Sequence, residues 1–188
     1  MSCDKVMLIR HAERPSPDKR FRGVNLEGRK DKESITVRGW QRAGALVRFF
    51  APCDDRFSHP ALARPRALYA CKAAPEDPSL RPRNTLIPLA ELLEADSGVE
   101  LNGDYFYGEE TALVRQVLAA PGPALIAWKH LSMHIIANAI LGDEKTAPQY
   151  WPYERVDLVW IFDKQGEGWR FTQVPQLLLA GDLADVVA

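Results

Sequence analysis

The chain has 188 residues, 46% of them hydrophobic, and a formal net charge of −1. That length supports one sizeable core in a single domain spanning 1–188. The near-neutral balance gives no global attraction to nucleic acid or to a membrane surface. The Met1-Ser2-Cys3-Asp4-Lys5 start lacks a signal-peptide core and no apolar run reaches transmembrane length, so the expected location is the cytoplasm. Cys3, Cys53 and Cys71 are odd in number and irregular in spacing, which indicates neither a disulfide framework nor a zinc site. Six residues after them stand Ile9, His59 and Asp77, so a Cys-x5-Arg phosphatase loop is excluded. Charge is uneven along the chain: between Arg10 and Lys32 eight Lys or Arg face four acids, and no basic residue follows Arg170. That local surplus fits an anionic substrate, and it also fits a solvated charged loop.

The predicted elements alternate. Lys5 to Ile9 reads as a buried strand that runs into Arg10-His11. Arg14 to Ser34 is polar and broken by Pro15, Pro17, Gly23 and Gly28, which predicts a long loop; loops of that length in compact domains are usually functional or disordered. Thr36 is a helix N-cap, with Trp40, Ala43, Leu46, Val47 and Phe50 at helical spacing behind it. Ala67 to Ala70 is a short strand, after which Pro75, Pro78 and Pro82 predict an irregular connection to a helix from about Asn84 to Ala95. A weak strand near Val99 to Leu101, a helix over Glu109 to Ala119, a buried strand Ala124 to Trp128 and an apolar helix Leu131 to Leu141 follow. Val156 to Phe162 and Trp169 to Val174 read as a hairpin turning through Lys164 to Gly168. Strands alternating with helices predict an α/β sheet covered on both faces.

Two histidines, His11 and His130, each end a predicted strand. Strand ends of a parallel sheet share one edge, where open α/β proteins bind ligands. Arg10 precedes His11 and Arg14 follows it; Arg offers planar, permanently charged donors suited to phosphate, and His titrates near neutrality. Arg81-Pro82-Arg83-Asn84-Thr85 enters a helix, and helix N-termini and Arg both attract phosphate. His134 stands one turn beyond His130, but the zinc-protease form needs a Glu where Leu131 stands, so His134 reads as a packing or surface residue.

These segments together resemble the histidine phosphatase superfamily, also called phosphoglycerate mutase-like. The resemblance rests on Leu8-Ile9-Arg10-His11-Ala12-Glu13, on Ile35-Thr36-Val37-Arg38-Gly39-Trp40-Gln41-Arg42-Ala43, on Tyr69-Ala70-Cys71 with Arg81 to Thr85, and on Leu125 to His130. They occur in the family's order over about residues 5–141. It implies a three-layer α/β/α sandwich with a mostly parallel sheet, and a phosphatase of the branch lacking Asp after the second His, since Leu131 occupies that position. It also implies roles: His11 as the nucleophile that becomes phosphohistidine, Arg10, Arg14, Arg81 and His130 as the phosphate clamp, and a carboxylic acid as proton donor. Fixed cations suit phosphoryl transfer, whose charge spreads over equatorial oxygens, so no metal or cofactor is expected. The expected partner is a phosphorylated small molecule or phosphoprotein, with no nucleic acid and no membrane.

The sequence departs from the family pattern at three points. Ala12 replaces a Gly and removes backbone freedom beside the nucleophile. Cys71 replaces a Ser and reads as a packing residue. The proton donor is not fixed: Glu91, Glu94, Asp104, Glu109 and Glu110 compete, with Glu109 preferred for its place in the Tyr105 to Glu110 loop, although both glutamates also suit the first turn of a helix. Two other readings stand beside the phosphatase. A phosphoglycerate mutase would carry an L-x-E-R-x-Y-G-like stretch, which is not found here. An inactive member would only bind a phosphorylated ligand. The substrate and the oligomeric state stay open, and Tyr150 to Tyr153 suits either core or interface.

Overall fold

Alternation within the first strand decides the layering. In this computed structural model, which describes residues 3–17 and 20–188, β1 spans Lys5–Arg10. Val6 and Leu8 enter one apolar cluster and Met7 and Ile9 the other, as the pleat requires. The sheet is completed by β2 (Ala67–Ala70), β3 (Leu101–Asn102), β4 (Ala124–Trp128), β5 (Leu158–Gln165) and β6 (Gly168–Pro175). Its six strands lie in the order β3-β2-β4-β1-β5-β6. The first four are parallel; β5 runs antiparallel to β1, and β6 to β5.

Helices α1 (Val37–Phe50) and α2 (Arg81–Ser97) cover one face through Leu46, Phe50, Leu86 and Leu89. Helices α3 (Glu110–Ala119) and α4 (Met133–Leu141) cover the other through Leu113, Val117, Met133 and Ile136. The architecture is the expected three-layer α/β/α sandwich with a mostly parallel sheet. Among the described residues no helix is long and apolar enough to cross a membrane.

Local chemistry explains where the elements agree with expectation and where they shift. Thr36 caps α1, its side chain accepting from the Gly39 N–H at 3.1 Å. Helix α2 starts at Arg81, three residues before the expected Asn84. Pro82 lies in its first turn, where a missing N–H costs nothing, so a residue read as a break is a helix start. The same helix passes through Pro88 and ends at Gly98, whose φ of 68° forms a left-handed cap. The weak strand falls at Leu101–Asn102 and pairs with Leu68 and Tyr69. After β4 the chain makes a 3-10 turn over His130–Ser132 before α4 begins, in place of a helix from Leu131. Strand β5 begins two residues later than expected and extends to Gln165. Of the expected loop from Arg14 to Ser34, Asp18 and Lys19 lie outside the described residues.

The register brings the chemistry-bearing strand ends to one edge. Arg10 lies opposite Trp128, and Ala70 opposite Ala127. Just past these ends, the His11 N–H donates to the Trp128 carbonyl at 3.1 Å and the Cys71 N–H to the Ala127 carbonyl at 3.2 Å.

Candidate active site

His11 is 4% exposed, and its Nδ1 lies 2.8 Å from the Ala12 carbonyl oxygen. A carbonyl only accepts, so Nδ1 carries the proton and Nε2 keeps its lone pair. Burial pushes the imidazole well below its ordinary pKa, with Arg10, and then Arg81 and His130, adding in the same direction. Next to it, the buried Ala12 donates its N–H to the Thr85 hydroxyl at 2.8 Å, and that hydroxyl donates to the Arg81 carbonyl at 2.8 Å. The loop that follows β1 is thereby tied to the first turn of α2. Asp55 and Leu177 are the only described non-glycine residues with positive φ, so Ala12 occupies its place without backbone strain. The freedom that a glycine offers there is not needed.

Around His11 the protein gathers cations. Arg10 is 2% exposed and donates to the main-chain carbonyls of Tyr153 and Arg155. The guanidinium carbons of Arg10 and Arg14 lie 5.2 Å and 4.3 Å from the Tyr153 ring centroid, and His130 meets that ring edge-on at 5.3 Å. Arg81 reaches the Lys32 carbonyl at 3.3 Å and Glu33 at 3.7 Å. The buried Nε atoms of both Arg10 and Arg81 have no hydrogen-bond partner. The energetic consequence is a lowered affinity for protons. Burial first, and then Arg14, push Arg10 down to about 10. Burial, Arg10 and Arg14 push His130 down to about 4. Both imidazoles are neutral at neutral pH, first because burial disfavours their charged form and then because the neighbouring guanidinium groups repel it.

The five expected cationic and imidazole residues, Arg10, His11, Arg14, Arg81 and His130, therefore share one electrostatic neighbourhood. The candidate acids divide differently. Glu110 is 2% exposed and accepts from Trp128 Nε1 at 3.0 Å, the Ser132 hydroxyl at 2.6 Å and the Gly108 N–H at 3.1 Å. Although burial opposes ionisation, these bonds win and hold its pKa below the usual range, so Glu110 locks α3 to the end of β4. Glu109 is exposed at the N-cap of α3 and accepts from the Phe106 N–H at 2.8 Å. Asp104 accepts from Asn102, and Glu91 and Glu94 are exposed on α2. Cys71 is buried, and burial pushes its thiol up to about 12, as suits a packing residue. The 3-10 turn separates His130 from His134, which is half-buried in α4. Among the described residues no three His, Cys, Asp or Glu side chains could together hold a metal ion.

Several contributors escaped the sequence reading. Tyr153 supplies both a carbonyl for Arg10 and a ring for Arg14 and His130; the aromatic run at 150–153 was its only signal. Lys129, beside His130, pairs with Asp77 and lies 5.6 Å from the Tyr107 ring, so the Tyr105 to Glu110 loop adjoins the site. Glu13 lies two residues after His11 and accepts from the buried Arg42 at 2.9 Å and from Arg38 at 3.2 Å. Arg42 also binds Asp182 at 2.7 Å and Gln176 at 2.9 Å, drawing the segment after β6 against the loop that follows β1. Gly39 makes this approach possible: a Cβ there would meet the Glu13 carbonyl at 2.9 Å and Ile35 Cβ at 2.8 Å. Finally, a cleft of about 330 Å³ opens beside Arg10 and Arg14, lined also by Pro15, Pro17, Phe21, Tyr153 and Val156.

No family model and no curated protein matches the chain. Among solved structures, it is similar to a protein of Agrobacterium tumefaciens provisionally described as the phosphohistidine phosphatase SixA, with 16% identity and a TM-score of 0.47 over 90% of this chain and 94% of that one.

Proposed function

We propose that the protein is a metal-independent phosphatase that hydrolyses phosphate monoesters through a phosphohistidine on His11. The observation that carries this reading is the buried cation cluster whose Arg10 Nε and Arg81 Nε lack partners. Buried polar groups are almost always satisfied, and two orphaned guanidinium donors beside a neutral imidazole call for an anion rich in acceptors. A phosphoryl group supplies those acceptors.

In this mechanism His11 Nε2 attacks phosphorus, the ester oxygen leaves with a proton, and water then cleaves the phosphorus–nitrogen bond to release phosphate. The proton on Nδ1, held by the Ala12 carbonyl, keeps the attacking lone pair on Nε2. Arg10, Arg14, Arg81 and His130 stabilise charge on the equatorial oxygens, and the covalent intermediate divides one hard displacement into two. Glu109 is the proton donor in this scheme. Its neighbour Glu110 is committed to three hydrogen bonds, whereas Glu109 is exposed, accepts from the Phe106 N–H, and stands on the loop whose Tyr107 ring faces Lys129, the residue before His130. A purely binding role drew on Ala12 and on the unassigned proton donor; the unstrained fit of Ala12 answers the first ground, and turnover of the aryl phosphate tests the second.

The test compares turnover of a generic aryl phosphate by the wild type and His11→Ala, together with trapping of acid-labile, base-stable phosphate on the protein. Equal rates in the two proteins would overturn the proposal, as would an absolute requirement for added divalent metal.

A further inference from the structure

Two members of the cation cluster, Arg10 and Arg14, also line the cleft, and beyond them its walls carry large apolar side chains. These are Pro15, Pro17, Phe21, Tyr153 and Val156. Phe21 is 64% exposed, an unusual state for a large ring. Yet its backbone is fixed, because the Ser16 N–H donates to the Phe21 carbonyl at 2.9 Å and the Phe21 N–H to the Ser16 hydroxyl at 3.0 Å. The protein therefore holds an exposed aromatic ring in a cleft that Arg10 and Arg14 also line. About 330 Å³ lies at the small end of ligand pockets, enough for one ring and its linker.

Charge narrows the choice further. Arg38 and Glu13, both in the cleft wall, are paired with each other at 3.2 Å. Glu154 also lines the cleft, is exposed, and acts on Arg10 as a nearby negative charge. A second anionic group on the ligand would meet that carboxylate, whereas an uncharged ring would not.

We infer that this cleft seats the leaving group, and that the preferred substrates are small-molecule phosphate monoesters carrying a single uncharged aromatic ring, gripped between Phe21 and the Tyr153–Val156 wall. This rests on the phosphatase reading for the position of the phosphoryl group at Arg10 and Arg14. Phe21 touches the leaving group and takes no part in phosphoryl transfer, so it is a specificity residue.

Non-hydrolysable phosphonates separate ring recognition from chemistry, because methylphosphonate and benzylphosphonate present the same anionic group with and without a ring. Calorimetric titration of the wild type is expected to show benzylphosphonate binding about 10- to 30-fold more tightly, the scale of burying one aromatic ring. In Phe21→Ala the gap should shrink to about threefold or less, with methylphosphonate affinity unchanged. Equal affinities in the wild type, or a gap that survives Phe21→Ala, would overturn the inference and leave the phosphatase reading standing. Ring discrimination together with His11-independent turnover would keep the cleft and sink the phosphatase reading. Failure to bind either phosphonate would end both.

Discussion

Arg10 and Arg42 are buried to the same depth, at 2% and 1% exposure, and differ in what surrounds them. Arg42 meets two carboxylates and an amide: Glu13, Asp182 and Gln176. Burial alone would lower its pKa, but those partners more than offset burial and raise it. Arg10 has main-chain carbonyls, an aromatic face and a neighbouring Arg14, and its pKa falls to about 10. One arginine is a completed fastening. The other keeps an unpartnered Nε, and the difference separates a cation whose contacts are complete from one able to take a further acceptor.

Four measurements break or sharpen that contrast. The largest effect on stability is expected at Arg42. Arg42→Met leaves Asp182 and Glu13 without their counterion, which should cost about 3–5 kcal/mol in denaturant unfolding. Arg10→Met should do the reverse. Stability should change by no more than about 1 kcal/mol, because an uncompensated cation leaves with its hydrogen bonds, while kcat/KM falls about 100- to 1000-fold. If the two variants lost stability equally, the contrast would be wrong.

A smaller effect comes from filling the open site. Vanadate or phosphate at 100 times Kd should stabilise the wild type by about 2.7 kcal/mol, and Arg10→Met should show little of this gain. Thermal unfolding against ligand concentration checks it.

The remaining effect is in pH, and it is small near neutrality. His11 and His130 resist protonation in the folded state, so below the ordinary imidazole pKa of about 6.5 the unfolded chain binds more protons. Stability should therefore fall as pH drops from about 6.5 toward 4, the value to which His130 is pushed. Saturating sulfate should flatten that slope by favouring both protonated imidazoles, whereas chloride at equal ionic strength should not. A slope of the same steepness in His130→Gln and in the wild type would remove His130 from the account.

The sequence revealed what is local and periodic. Arg10-His11 at the end of an apolar run, Thr36 as a cap, and the strand leading to His130 all depend on neighbours a few residues away. Arg81 was found because Arg, Pro and Thr cluster at a helix entry, although Pro82 concealed that the helix begins there. What joins these pieces was hidden by distance along the chain. The Arg10 to Tyr153 hydrogen bond spans 143 residues and the Arg42 to Asp182 bond spans 140. No spacing rule reaches that far, and Tyr153 in an aromatic run looked equally suited to core or interface. Glu109 and Glu110 were indistinguishable in sequence because both suit a helix start. Only the indole of Trp128 and the hydroxyl of Ser132, brought in by the fold, set Glu110 apart.

The segment that follows β6 has a consequence for dynamics. Asp182 accepts the Leu178 and Leu179 amides while holding Arg42, and Asp157 accepts the Leu183 amide. Peeling this stretch away strips Arg42 of a carboxylate and loosens the Glu13 loop two residues from His11. Amide hydrogen exchange at Leu178, Leu179 and Leu183 should therefore be slow for an irregular segment and should quicken together with exchange at Ala12 and Thr36, marking one cooperative opening unit. Strand-free chain far from His11 in sequence thus sets how often its surroundings come apart.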